Sequence, residues 1–430
     1  MQPASPGPWH EGLTRYHWRI FAVTVLGWLF SVMVQRIFVL ARGPALRDLL
    51  PAGTSAAGIT WHSGAATAIF MTGWAAGGIV FGILGDRRGR ARIMTACMLM
   101  YAVFTGLSGL ARGWWDFAAL RFLAGLGVGG EFAACATLLA EAMPDRARPH
   151  ALGLLQVFSM LGNMGASALS YAILSWRWLF AAGFFPALLA IAIAGRIEEP
   201  GNWRKLHAAG AEARARRGSL GDLFRIPRWR RATIAGLTLA ISGVVGLWGI
   251  GFWTPELIRD ALRDAPPETR GRYVALGTIL QDIGAFLGLY AFTRLTARTG
   301  RRPAFALAYA AGLAATVLTF GWLRQPGDIF WMMPLLGFCN LMVFGGFSIY
   351  FPELYPTRLR STGVGFCYNA GRIVAALGPF TLGGLTVALT DLGFAAPFRA
   401  AAIALASVYL VGILALPFAP ETHGRPLPEE

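Results

Sequence analysis

Charged and strongly polar side chains inside long apolar runs are scarce in this 430-residue chain. A charge at the centre of a bilayer costs at least about 2.5 kcal/mol, so a residue kept there at that cost is a functional candidate. Tyr368-Asn369-Ala-Gly-Arg372 sets three polar groups within about one helical turn. A guanidinium in such a place calls for an anion, either a substrate carboxylate or an internal acid such as Glu131 or Asp282. Glu131 and Asp282 are also the two proton-coupling candidates, because a carboxyl group in a poorly hydrated site can exist in either protonation state. For Glu131 a hydrogen bond to a neighbouring helix is the competing explanation. Arg121 shares a run with Glu131 but lies about 15 Å from it along a helix, so each needs its own partners. Gln35 and Arg36 close the first run, where Arg36 either faces a cavity or snorkels to the outer surface. Gln156, Asn163, Gln281 and Asn340 are further substrate-binding candidates, although a helix–helix hydrogen bond explains any single amide equally well. Trp248 is placed to stack on a substrate ring, and Trp253 either does the same or anchors the interface.

These residues sit in a chain that is 55% hydrophobic and only 14% charged, against about 25% charged in soluble proteins. The apolar runs are about 20 residues long, enough to cross a hydrocarbon core of about 30 Å as helices. Spans are predicted at 18–40, 61–84, 93–111, 115–143, 151–174, 176–195, 232–255, 273–295, 303–323, 328–351, 361–388 and 393–418. The expected organisation is an N-terminal tail (1–17), a six-helix bundle (18–195), a basic linker (196–231), a second six-helix bundle (232–418) and a C-terminal tail (419–430). The formal net charge of +16 falls mainly in that linker and in the turns on its side. By the positive-inside rule both termini are cytoplasmic, in a multi-pass protein of the plasma (inner) membrane. The charge therefore argues for a lipid bilayer as partner and against nucleic acid. Residues 1–16 lack the pattern of a cleaved signal peptide, so the first run is expected to stay as a helix. Cys97, Cys135, Cys339 and Cys367 lie inside apolar runs and read as packing residues. No metal-ligand spacing, nucleophile–base pair or phosphate-cradling loop stands out, so neither an enzyme nor a cofactor nor a metal site is expected.

The two halves repeat each other. Glu141-Ala-Met-Pro-Asp-Arg-Ala-Arg148 follows the fourth span and Glu353-Leu-Tyr-Pro-Thr-Arg-Leu-Arg360 the tenth, while Gly89-Arg90 and Gly300-Arg301 follow the second and eighth. Such pairs in register indicate bundles related by a pseudo-twofold axis. In Gly85-Asp86-Arg87-Arg88-Gly89-Arg90 the glycines permit a tight turn and Asp86 can ion-pair with the arginines; a merely solvated basic loop is the plainer alternative.

That loop resembles the G-x-x-x-D-R-x-G-R motif of the major facilitator superfamily. Arg121-Phe-Leu-Ala-Gly-Leu-Gly-Val-Gly-Gly-Glu131 resembles the family's fourth-helix motif. Pro352-Glu353-Leu-Tyr-Pro-Thr-Arg358 and Pro420-Glu421-Thr-His-Gly424 are similar to its sugar-porter and organic-acid symporter branches, and Glu198-Glu-Pro-Gly-Asn-Trp203 is a loose echo of the latter ending. The resemblance implies an all-α integral membrane fold of twelve transmembrane helices, working as a monomer by alternating access. It also implies a conformational latch built from Gly85, Asp86, Arg87, Gly89, Arg90, Glu141, Arg148, Glu353 and Arg360. Ala297 stands where a second Asp86 would be, so the first copy is expected to dominate the latch. Organic-acid symporters show a similar Y-N-x-G-R, which favours a substrate carboxylate for Arg372. Their first helix usually carries G-W-x-F-D-x-x-D, whereas Ser31 and Val34 replace both acids here. The helix-five proline of drug–proton antiporters is missing from Gly162-Asn163-Met164-Gly165, which disfavours efflux of that kind. The expectation is a carrier for a small organic anion, with proton coupling left open. A neutral-solute carrier, an uncoupled facilitator and a non-transporting receptor are the alternatives.

Overall fold

The computed structural model describes residues 8–173, 175–193, 197–208, 217–250, 253–375 and 378–429, and all regular secondary structure among them is helical. A first set comprises α1 (Arg15–Leu49), α2 (Ala56–Arg88), α3 (Arg90–Ser108), α4 (Trp114–Ala142), α5 (Arg148–Ala172) and α6 (Trp176–Ile193). Two short helices follow, α7 (Gly201–Ala208) and α8 (Leu220–Arg225). A second set comprises α9 (Pro227–Val244), α10 (Thr254–Ala261), α11 (Pro267–Thr299), α12 (Arg301–Trp322), α13 (Pro326–Glu353), α14 (Arg360–Ala375), α15 (Gly378–Asp391) and α16 (Pro397–Phe418).

Eleven helices among the described residues are long and apolar enough to cross a bilayer. The remaining predicted span, 361–388, corresponds to α14 and α15, which flank residues 376 and 377. Three predicted connections differ. α1 runs on to Leu49 through the expected loop, because Arg42 donates to Thr67 at 2.7 Å and Asp48 pairs with Arg177 at 3.1 Å. Polar side chains that find partners on neighbouring helices do not need to leave the bundle. The expected loop 256–272 contains most of α10, and the linker contains α7 and α8. α9 begins at Pro227 and passes at its far end into a π-helical stretch, Val245–Ile250.

Glycine sets the packing distance. A Cβ on Gly77 would lie 2.0 Å from the Leu126 carbonyl oxygen, and one on Gly129 would lie 1.9 Å from that of Trp74, so α2 and α4 meet backbone to backbone. In the second set a Cβ on Gly284 would lie 1.9 Å from the Pro334 oxygen and one on Gly337 1.9 Å from that of Gln281, which brings α11 and α13 together in the same way. The turns repeat as well. Gly89 (φ 113°) separates α2 from α3 and Gly300 (φ 92°) separates α11 from α12, a conformation that glycine adopts without strain. Each following helix receives a carboxylate at its N-terminus: Glu199 accepts from the backbone N–H groups of Arg90, Ala91 and Arg92, and Glu421 from those of Arg301 and Arg302. Burial alone would push the Glu421 carboxyl up, but the backbone donors of Arg302, Arg301, His423 and Thr422 outweigh it and hold it below the usual value.

The linker lies at the α2–α3 turn, where the Trp203 indole donates to the Asp86 carbonyl at 3.0 Å. The start of the chain lies on the same face, with Trp9 stacked on His150 at the head of α5. The two sets join along α2–α14 and α5–α11.

Candidate functional site

A cavity of about 470 Å³ lies between the two sets of helices, walled by α1, α2, α5, α10, α11, α13 and α14. Its α1 residues run from Trp28, near the middle of that helix, to Arg42, toward the end farther from the linker. Its α11 residues run from Ala285, near the middle, to Thr278, toward the same opposite face, and α10 contributes Pro255, Glu256 and Arg259. The mouth is therefore on the face opposite the linker.

Arg372 lies in the wall, 3% exposed. Its guanidinium lies 4.0 Å from the Trp74 ring centre and 4.5 Å from that of Tyr368, a double cation–π arrangement. Tyr368 stacks in turn on Phe132 at 3.9 Å, tying α14 to α4. Tyr368 and Arg372 stand four residues apart, so one helix face presents both. Across the cavity the Trp28 indole donates to Gln156 at 2.9 Å, and the Asn163 amide lies 4.0 Å from the Met160 sulfur. Arg36 of α1 faces Asp282 of α11 at 3.8 Å. At the mouth Arg259 pairs with Glu256 at 3.0 Å, near Arg42. Among the described residues four arginines and two acids thus line the cavity, which makes it a net cationic space.

Gln35, Arg36, Gln156, Asn163, Gln281, Asp282, Tyr368 and Arg372 all reach this cavity. Asn340 and Asn369 do not. α13 turns Gly337, Leu341 and Phe344 inward, while Asn340 accepts a hydrogen bond from the Tyr409 hydroxyl at 3.1 Å. Asn369 is one position past Tyr368, a rotation of about 100°, and packs on Gly78 of α2 with its amide donating to the Gly365 carbonyl. The Trp248 side chain lies outside the described residues. Trp253 packs beside Phe398. Arg121 belongs to the wall of the first set: it donates to the Ser108 hydroxyl and the Phe104 carbonyl and lies 4.9 Å from the Phe180 ring centre. Glu131 is fully buried against the Gly27 backbone and accepts a hydrogen bond from the Cys135 thiol at 3.3 Å.

Sequence reasoning missed Trp74, Arg42, Glu256 and Arg259. Trp74 carried a readable signal, because tryptophan belongs at membrane interfaces and this one stands in mid-span. The other three fell within expected loops.

On the linker face the cavity is closed. Asp86 accepts from Arg90 at 2.9 Å, from the Ser361 and Thr362 backbone N–H groups at 3.1 and 2.8 Å, and from the Thr362 hydroxyl at 2.6 Å. It thus sits on the N-terminus of a helix from the opposite set. Arg90 also donates to the Thr357 carbonyl, and Glu141 holds both Arg90, at 3.1 Å, and Arg360, at 2.6 Å. Gly85 faces the Ser361 hydroxyl so closely that a Cβ would lie 2.4 Å from it. Among the described residues, the other charged members of the expected latch bind within their own set or to the linker. Glu353 pairs with Arg301 at 2.8 Å within the second set, Arg148 binds Asp145 and the Ala140 carbonyl, and Arg87 donates to the Arg217 carbonyl of the linker. Ala297, where a second Asp86 would stand, has no carboxylate, and its carbonyl lies 3.2 Å from the His423 ring nitrogen.

The family model of the Major Facilitator Superfamily matches residues 24–379. The chain is 31% identical to a "putative metabolite transport protein" of Haemophilus influenzae, over 82% of this chain and 85% of that protein. It is 29% identical to a "cis,cis-muconate transport protein" of Acinetobacter baylyi, over 75% of this chain and 78% of that protein. The structure of the proton:xylose symporter XylE aligns with a TM-score of 0.76 at 19% identity, covering 96% of this chain and 98% of that one, and shares the fold. Because the family match runs from the first span into the eleventh, over helices that repeat the same packing in both sets, the chain belongs to the Major Facilitator Superfamily and is a membrane transporter, not an enzyme.

Proposed function

We propose that this transporter carries a small organic anion, a carboxylate, by alternating access, and that the conformation described is open to the outside and closed to the cytoplasm. The observation that carries this reading is Arg372: a guanidinium set against the Trp74 and Tyr368 rings in the wall of the central cavity. A planar cation oriented by two rings recognises a carboxylate in a fixed direction. The cationic excess of the cavity favours an anion, and the similarity to a muconate transport protein agrees. The bundles 18–195 and 232–418 rock about the site, joined by the linker 196–231, with both termini and the basic turns in the cytoplasm and the protein in the inner membrane. The working unit is a monomer, with the site between its own two sets of helices.

The test is uptake of labelled cis,cis-muconate into proteoliposomes. The wild-type protein takes it up and Arg372→Ala does not, at equal incorporation; normal uptake by the variant would refute the anion clamp. A neutral-solute carrier is the second reading, favoured by the amides of Gln156, Asn163 and Gln281 in the same cavity and by the XylE fold. Uptake of labelled xylose that carboxylates do not inhibit, with none of muconate, would establish it instead.

A further inference from the structure

Among the described residues, one ion pair links the two sets of helices inside the cavity, and it is a loose one. Arg36 Nη2 stands 3.8 Å from Asp282 Oδ2, with the side chains 29% and 35% exposed. The latch pair Glu141–Arg360, by contrast, is 2.6 Å long and wholly buried. A hydrated pair at that distance exchanges partners readily.

We infer that Asp282 is the proton-coupling group of this transporter and Arg36 the switch that reports substrate to it. This rests on the carboxylate reading above. A substrate carboxylate that reaches Arg36 takes the place of Asp282, and the released Asp282 carboxylate accepts one proton from cavity water. The proton leaves to water on the other side once the substrate departs and Arg36 is again free to pair.

Charge balance supplies the reason for coupling. Closing the mouth expels water, and an uncompensated charge left in the closed cavity is costly. The empty site is balanced at this position, Arg36 against Asp282. The site holding both substrate and proton is balanced as well, with one muconate carboxylate on Arg36, the other on Arg372, and a neutral Asp282. Substrate alone leaves an extra negative charge, and a proton alone leaves Arg36 uncompensated. Only the two balanced states close easily, so anion and proton cross together.

The other charged or titratable groups of the cavity are occupied elsewhere. On α1, Arg42 donates to Thr67; on α10, Glu256 and Arg259 bind each other; on α14, Arg372 lies between the Trp74 ring and that of Tyr368. Among the described residues α2, α5 and α13 add no ionisable side chain to the lining. Glu131 is sealed behind α1 with Cys135 and lines no part of the cavity, so a proton on it is not exchanged with substrate in the same space.

The test is calorimetric titration of cis,cis-muconate into the purified full-length protein in buffers of different ionisation enthalpy, which counts protons taken up on binding. Wild type and Glu131→Gln are expected to take up a proton with each bound muconate. Asp282→Asn should bind muconate more tightly, because no internal carboxylate competes for Arg36, and should take up none. In proteoliposomes it should lose accumulation driven by an inward pH gradient while still exchanging labelled for unlabelled muconate. Proton uptake by Asp282→Asn equal to wild type, or failure of a folded Asp282→Asn to bind, would overturn the inference. Absence of muconate binding by wild type would bring down the carboxylate reading itself, and this inference with it.

Discussion

Arg360 of α14 reaches across the linker face to Glu141 of α4, Nη1 to Oε1 at 2.6 Å, with both side chains fully buried. The same Glu141 oxygen holds Arg90 at 3.1 Å, so one carboxylate ties two arginines from different halves of the molecule. Removing one partner of such a pair costs about 3–5 kcal/mol, because the other charge stays buried without its counter-ion. That cost falls on the conformation in which the linker face is closed. Glu141→Gln is therefore expected to shift the protein away from the open-mouthed state. A cysteine introduced at Thr278, which lines the cavity, reports this directly, since the native cysteines are all buried. Labelling by a membrane-impermeant maleimide from the outside should fall by at least about tenfold, as each 1.4 kcal/mol changes a population ratio by ten.

The clamp at Arg372 distinguishes charge from shape. Arg372→Lys keeps the charge but loses the planar fork and its stacking, so transport should be impaired nearly as much as in Arg372→Ala. Trp74→Ala leaves the charge and removes one ring 4.0 Å away. A cation–π contact of about 0.5–2 kcal/mol predicts apparent affinity weakened by roughly two- to thirtyfold. Initial uptake rates against muconate concentration, at matched incorporation, check both.

The contact between α2 and α4 has no room for a methyl group. Gly77→Ala would put a Cβ 2.0 Å from the Leu126 carbonyl, and overpacking of this kind costs about 1–3 kcal/mol. The variant should melt at lower temperature in detergent than the wild type. Gly165→Ala, which meets nothing within 4 Å, is the control. Equal melting of all three would mean that the helices part easily.

Glu421 gives a pH dependence on the linker face. Its carboxyl is held below the usual value by backbone donors at the start of α12 and in its own turn. A depressed folded-state value contributes stability that is fully present above the unfolded value, about 4.3, and fades as the pH drops through the folded one. Wild type should therefore melt higher than Glu421→Gln at pH 7, and the difference should shrink on acidification below pH 4. A difference that grows on acidification would reverse the sign and exclude this role.

Much of this molecule is legible along the chain. The twelve spans follow from runs of apolar residues, since transfer into lipid is a property of each segment alone. The repeat is legible because Gly89-Arg90 recurs as Gly300-Arg301 and Glu141 to Arg148 recurs as Glu353 to Arg360, at equivalent places in the two halves. Tyr368 and Arg372 are legible as a pair because four residues bring a helix back to the same face. What the one-dimensional pattern does not contain is the direction of each face toward other helices. Asn369, one residue along from Tyr368, is turned to Gly78, and Asn340 is turned to Tyr409. Arg42, Glu256 and Arg259 join the cavity because helices extend through stretches whose charges read as loop. Arg148 and Arg360 stand at equivalent places in the repeat, yet only Arg360 crosses to the other half. The pairing of Arg36 with Asp282 has the same origin. Local periodicity brings each to a helix face, and only the docking of two separately packed sets of helices brings those faces together across water.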